Sequence, residues 1–184
     1  MHQHRIGTGE TSFEVSEIRV PNANALVLFA AGRGGDPRRH HALLHAFAER
    51  GHDVVAPHFE LFRSPRVDAA IVLERTRRLH LAYEEAFAHE RVLGVGHSLG
   101  GILLAGLSGA KIWTNHDAPL DLPSVPIARL VMMAPPLDFF RAPGSLDGLR
   151  TPIQLWLGEE DKHVPPSARA LLEDGLASDV PLQV

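Results

Sequence analysis

The sequence contains no cysteine. A disulfide framework and a thiolate metal site are both excluded by that absence. No apolar run is long enough to span a bilayer. The opening residues, MHQHRIGTGE, lack the apolar stretch of a secretory signal, so a cytoplasmic protein with no membrane partner is expected. Lysine is scarce: all but two of the 18 basic residues are arginines, and they are scattered along the chain. With a formal net charge of -4 and no dense basic stripe, nucleic acid is not an expected partner. There is no internal repeat and no low-complexity block. Nucleotide loops are missing too: GRGGDP at 32–37 lacks the Lys-Ser/Thr of a P-loop, and no G-x-G-x-x-G follows a strand. No cofactor is expected. His41 and His45 stand at a metal-compatible spacing on a helix, but no third ligand stands out, so a solvated helix face is the better account and no metal is expected.

What is present describes one domain. The 184 residues are 45% hydrophobic and 22% charged, enough to bury a substantial core. Residues 12–20 (SFEVSEIRV) alternate apolar and polar, as an edge strand with one wet face does. The segments 25–32, 52–57, 91–96, 128–135 and 152–158 are instead short and almost continuously apolar, the signature of strands buried on both faces of a parallel sheet. Helices are expected between them. Asp36-Pro37 starts one, and Gly51 stops it; Leu43, Leu44, Phe47 and Ala48 give its apolar face. A second runs from about Val67 to Ala88, a third begins after Ser98, and a fourth covers about Ser167 to Leu176. Strand–helix alternation with right-handed crossovers predicts a doubly wound, mostly parallel three-layer α/β sheet, with ligands bound beyond the carboxyl ends of the strands. Residues 111–126, with three prolines, read as an irregular loop, either bordering the cleft or a plain surface excursion; no large lid domain is expected.

One motif carries chemistry. Gly96-His97-Ser98-Leu99-Gly100-Gly101 follows a buried strand and opens a helix, the context that G-x-S-x-G requires. A sharp strand-to-helix turn projects the serine hydroxyl from the sheet. Glycine is favoured two residues to either side because side chains there would collide. The free N–H groups of the following helix terminus face a developing oxyanion. Ser98 is the candidate nucleophile.

With GHSLGG in this place, residues 12–184 resemble the α/β-hydrolase family. The resemblance implies an oxyanion hole made by the backbone N–H groups of Arg33, in the glycine-rich loop Ala31–Gly35, and of Leu99; Ala31 stands where the family often has histidine. It places the acid at Asp161, in LWLGEEDKHVPP after the strand at 152–158, and offers Asp138, in APPLDFF, as the alternative acid. The implied activity is that of a small serine hydrolase cleaving an ester or thioester of a small soluble substrate through an acyl-enzyme.

The base is the difficulty. The family carries a histidine after the last strand, whereas the last of the 12 histidines here is His163. His163 lies two residues beyond Asp161 and is a candidate base only if it swings towards Ser98. His97 is expected to pack locally, and His58 and His116 are cleft-lining candidates or surface residues. Val180 to Val184 reads as a final or edge strand, so a missing histidine loop and last helix are expected beyond it. Loss of the histidine of such a triad costs on the order of a million-fold in turnover. The alternative is therefore a non-catalytic binding protein on the same fold. A final edge strand also offers a place for a second copy to pair as a homodimer.

Overall fold

The computed structural model describes residues 1–64, 66–86, 89–114 and 118–184. His116 and the expected end of the second helix at Ala88 lie outside them. Among the described residues eight strands form one sheet: β1 (His2–Ile6), β2 (Phe13–Ile18), β3 (Ala25–Ala30), β4 (His52–Pro57), β5 (Val92–His97), β6 (Ile127–Met133), β7 (Ile153–Trp156) and β8 (Leu182–Gln183). Their order is β1-β2-β4-β3-β5-β6-β7-β8. The pairs β1/β2 and β2/β4 are antiparallel, and every later pair is parallel.

The central strand β3 is buried at all six positions, as its unbroken run ALVLFA requires. The segment at 12–20 departs from expectation. It is not an edge, because β1 pairs outside it. β1 (HQHRI) buries only Ile6, so no apolar pattern announces it; partnership with β2 makes it a strand.

Among the described residues four helices cover the sheet. α1 (His41–Ala48) is preceded by a 3-10 turn at Pro37–His40, which Asp36 caps by accepting from the Arg38 N–H at 2.9 Å. Gly51 ends this segment at φ +80°. α2 (Ala69–Glu85) is capped by Asp68, which accepts from the Ile71 N–H. α3 (Leu99–Leu107) is buried along its whole length. α4 is a 3-10 turn at Pro166–Arg169 running into Ala170–Gly175. One core cluster joins side chains of α2, α3 and α4 to one face of the sheet. A smaller one packs α1 through Leu44 against Val27, Phe29, Val54 and Val95 on the other. The result is three layers.

The described part of 111–126 holds no helix or strand, yet it is more than a surface excursion. Ile112 and Val125 are buried, and the Val125 N–H donates to the Leu107 carbonyl at 2.9 Å. It is a strap packed on α3, and among the described residues there is no large lid.

Topology puts a crevice at the centre. After β3 the chain passes through α1 to β4; after β4 it crosses back through α2 to β5 on the far side of β3. The loops leaving β3 and β5 therefore part to opposite faces, and a ligand site belongs between their carboxyl ends.

Candidate active site

The register between β3 and β5 aligns Ala30 with Gly96, so the loop at 31–35 and the turn at 97–98 leave the sheet at one level. Ser98 sits at φ +53°, ψ -126°, a conformation that costs a non-glycine residue about 1–3 kcal/mol and marks functional turns. Neighbouring glycines make the turn possible. A Cβ on Gly96 would lie 2.4 Å from the Gly101 nitrogen, and one on Gly100 would lie 2.0 Å from the Ala30 carbonyl oxygen. Only glycine fits at either place. The Ser98 N–H donates to the Met133 carbonyl at 2.7 Å, anchoring the turn to β6. The Leu99 N–H, first in α3, has no acceptor within its own helix.

Gly32 closes the other side. Its hypothetical Cβ would stand 2.9 Å from the Ser98 Cβ and 3.1 Å from the His97 carbonyl. A cavity of about 400 Å³ is lined by residues 31–36 together with Arg39, His40, His97 and Ser98. The structure thus brings Ser98 and Arg33, two of the expected site residues, to one cavity.

Two histidines share that cavity. The His97 and His40 ring centroids are 5.1 Å apart, and His40 in turn meets Phe29 at 5.1 Å. Burial pushes the pKa of His97 down, with the Asp161 charge opposing. Burial lowers that of His40 too, helped by His97 and Arg39. Both are therefore neutral at pH 7. No hydrogen bond joins either ring to Ser98 among the described residues.

Asp161 follows β7 in a tight turn in which its Oδ1 accepts from the N–H groups of His163 (2.8 Å) and Val164 (3.1 Å). These bonds, Val164 first, hold its carboxyl below the usual carboxylate range. Asp138 lies after β6 in a 3-10 turn, exposed, and bound to Arg141 at 2.7 Å. His163 and Asp138 line a separate cavity of about 450 Å³ with Arg141, so His163 is not among the residues around Ser98. His58 is placed elsewhere: its Nε2 is 2.8 Å from the Ser16 Oγ. His41 and His45 are exposed on α1, and no group of three potential ligands among the described residues could hold a metal ion.

Sequence reasoning missed Arg75. This α2 residue is 3% exposed. It donates to the carbonyls of Gly32 (2.7 Å), Arg33 (3.2 Å) and Glu60 (2.8 Å) and stacks on Phe59 and Phe62 at 4.7 and 5.0 Å. Burial lowers its pKa to about 10, which leaves it charged at neutral pH. The apolar spacing Val72–Leu79–Tyr83 skips this position; an arginine on the buried side of that stripe was the available signal.

No protein-family model matches the chain, and no curated protein matches it in sequence. Solved structures do match. A dienelactone hydrolase from Anabaena variabilis superposes with a TM-score of 0.69 at 18% identity, over 99% of this chain and 83% of the other. A lipase/esterase from Lactobacillus plantarum gives 0.67 at 14% identity, over 99% and 89%. An alpha-beta serine hydrolase homologue from Coxiella burnetii gives 0.67 at 17% identity, over 100% and 86%. The fold is the α/β-hydrolase fold. Similarity at these identities establishes the architecture, and chemistry has to be argued from the side chains.

Proposed function

We propose that this chain is a small serine hydrolase that cleaves an ester or thioester of a small soluble substrate through an acyl-enzyme on Ser98. The observation that carries this reading is the strained backbone of Ser98, held between two glycines that no other residue could replace and facing a glycine-rich loop across a cavity. Strain of this kind persists only where surrounding structure enforces it, and here it lifts a hydroxyl clear of the sheet.

In this mechanism Ser98 Oγ attacks the substrate carbonyl as the base takes its hydroxyl proton. The N–H groups of Arg33 and Leu99 hold the oxyanion, the alcohol or thiol leaves with a proton from the base, and water then releases the acid. Asp161 orients the base and stabilises its imidazolium. β8 runs parallel to β7, so its carboxyl end lies at the end of the sheet that holds Asp161. We also place a second copy, where one pairs, at the β8 edge; light scattering of the purified protein tests this, with a monomer at all concentrations against it.

The competing reading is a binding protein that keeps the fold without turnover. It is favoured by the absence, among the described residues, of a histidine bonded to Ser98. Steady-state hydrolysis of p-nitrophenyl esters by the protein and by Ser98→Ala separates the two. Turnover that falls to the buffer rate in Ser98→Ala supports the hydrolase. Saturable ester binding without turnover in either protein supports the binding module.

A further inference from the structure

Arg75 is an anomaly of the fold. A buried cation is normally matched by a carboxylate, because desolvating it otherwise costs several kcal/mol. Among the described residues no carboxylate lies within ion-pair distance of Arg75; its partners are three carbonyl oxygens and two aromatic faces. Packing does not demand it either. The buried stripe of α2 is otherwise Val72, Thr76, Leu79 and Ala82, where an apolar residue fits. Nor does the Gly32 carbonyl need the guanidinium to be satisfied, since it already accepts from the Gly35 N–H at 3.1 Å.

The partners indicate the purpose. The peptide between Gly32 and Arg33 is trans, as are all described peptide bonds, so its C=O and N–H point in opposite directions. Arg75 pulls the C=O towards α2. The N–H of Arg33 is thereby turned away from α2. Gly32 lies against Ser98, so this peptide borders the nucleophile.

We propose that Arg75 is a positioning residue that clamps the Gly32 and Arg33 carbonyls so that the Arg33 N–H faces the oxyanion formed on Ser98. The claim rests on the assignment of that N–H as an oxyanion donor. The clamp acts in two ways. Two loops, the one after β3 and the one after β4, are tied to one guanidinium, which removes the freedom of the peptide to turn over. A cation bonded to the C=O also polarises the peptide and strengthens its N–H as a donor.

The test compares Arg75→Met and Arg75→Lys with the unaltered protein. Methionine keeps an apolar stem between Phe59 and Phe62 without the donors; lysine keeps the charge and part of the bonding. Three quantities are read: kcat and KM for a p-nitrophenyl ester, the melting temperature, and the Arg33 amide cross-peak in a 15N–1H spectrum. Arg75→Met is expected to lower kcat about 100-fold, the effect of losing one oxyanion donor, with KM within about threefold, and to shift the Arg33 cross-peak. Arg75→Lys is expected to recover at least about a tenth of the lost rate, which also guards against a methionine variant that fails to fold. An unchanged kcat in folded Arg75→Met, or a loss shared equally by both variants and matched by their unfolded fraction, overturns the clamp. Absence of any Ser98-dependent turnover in the unaltered protein overturns the hydrolase assignment instead, and the oxyanion role with it.

Discussion

At the scale of single residues, the site separates the two candidate acids by what each is bonded to. Asp138 gives its carboxylate to Arg141 on an exposed turn. Asp161 uses Oδ1 for two backbone N–H groups, which fixes the side chain and leaves Oδ2 for a base. Asparagine at 161 retains an oxygen for those N–H groups, so the turn survives while the charge is lost. Asp161→Asn is therefore expected to lower kcat on the order of 10⁴-fold, as removal of the charge does in comparable triads, with little change in melting temperature. Asp138→Asn is expected to leave kcat within about twofold. Steady-state kinetics on both variants checks the assignment; the opposite ranking assigns the acid to Asp138.

At the scale of elements, the contact between α3 and the central strands fixes Ser98, the proposed nucleophile. Gly100 and Gly101 are neighbours with opposite demands. A Cβ at 100 meets the Ala30 backbone at 2.0 Å, whereas a Cβ at 101 comes no closer than 3.4 Å to Met132 Cβ. Gly100→Ala is expected to cost about 3 kcal/mol or more through forced separation of α3 from β3. Gly101→Ala is expected to be neutral or stabilising by up to about 1 kcal/mol, the helix preference of alanine over glycine. Urea unfolding of the two variants measures the difference. Much of this layer is legible in the sequence. Strands β3 to β5 are buried at nearly every position and so read as unbroken apolar runs; β6 and β7 read alike in sequence but leave Arg129 and Trp156 exposed. Asp36, Asp68 and the glycines around Ser98 mark helix starts and the sharp turn locally. What could not be read depends on tertiary partners. β1 has one buried residue and exists through its ladder with β2. Arg75 reaches the loop after β3 only because the α2 crossover carries it there, and nothing near it in sequence says so; Arg39 and His40 follow that loop directly, in the turn Pro37–His40.

At the scale of the whole molecule, three half-buried histidines make stability depend on pH. Burial lowers the pKa of His40, His58 and His97, in His58 against the opposing charges of Glu14 and Asp36. A histidine whose folded pKa lies below its unfolded value, about 6.5, binds fewer protons folded than unfolded. Stability is then lost as pH falls below that value. The acids act in a lower window. Asp36, bonded to Arg38, and Glu74, bonded to Arg77 and Arg78, have lowered pKa values, as does Asp53, where bonds from the Val20 N–H, Arg19 and His89 outweigh burial. Their contribution is present above about pH 4 and disappears as pH falls through the folded pKa values. The urea midpoint is expected to be steady above pH 7, to decline from about pH 6.5, and to drop again below about pH 4. A midpoint unchanged between pH 8 and 5 contradicts the burial of these histidines.

The same topology that sets these burials parts the loops after β3 and β5 and leaves Ser98 at the crevice between them. Reaction of the native protein with a fluorophosphonate probe, followed by mass spectrometry of its peptides, tests the nucleophile directly. The expected result is one adduct, on the peptide that contains Ser98, absent from Ser98→Ala and from urea-unfolded protein. Equal labelling of the native protein and Ser98→Ala, or no adduct on Ser98, contradicts the assignment.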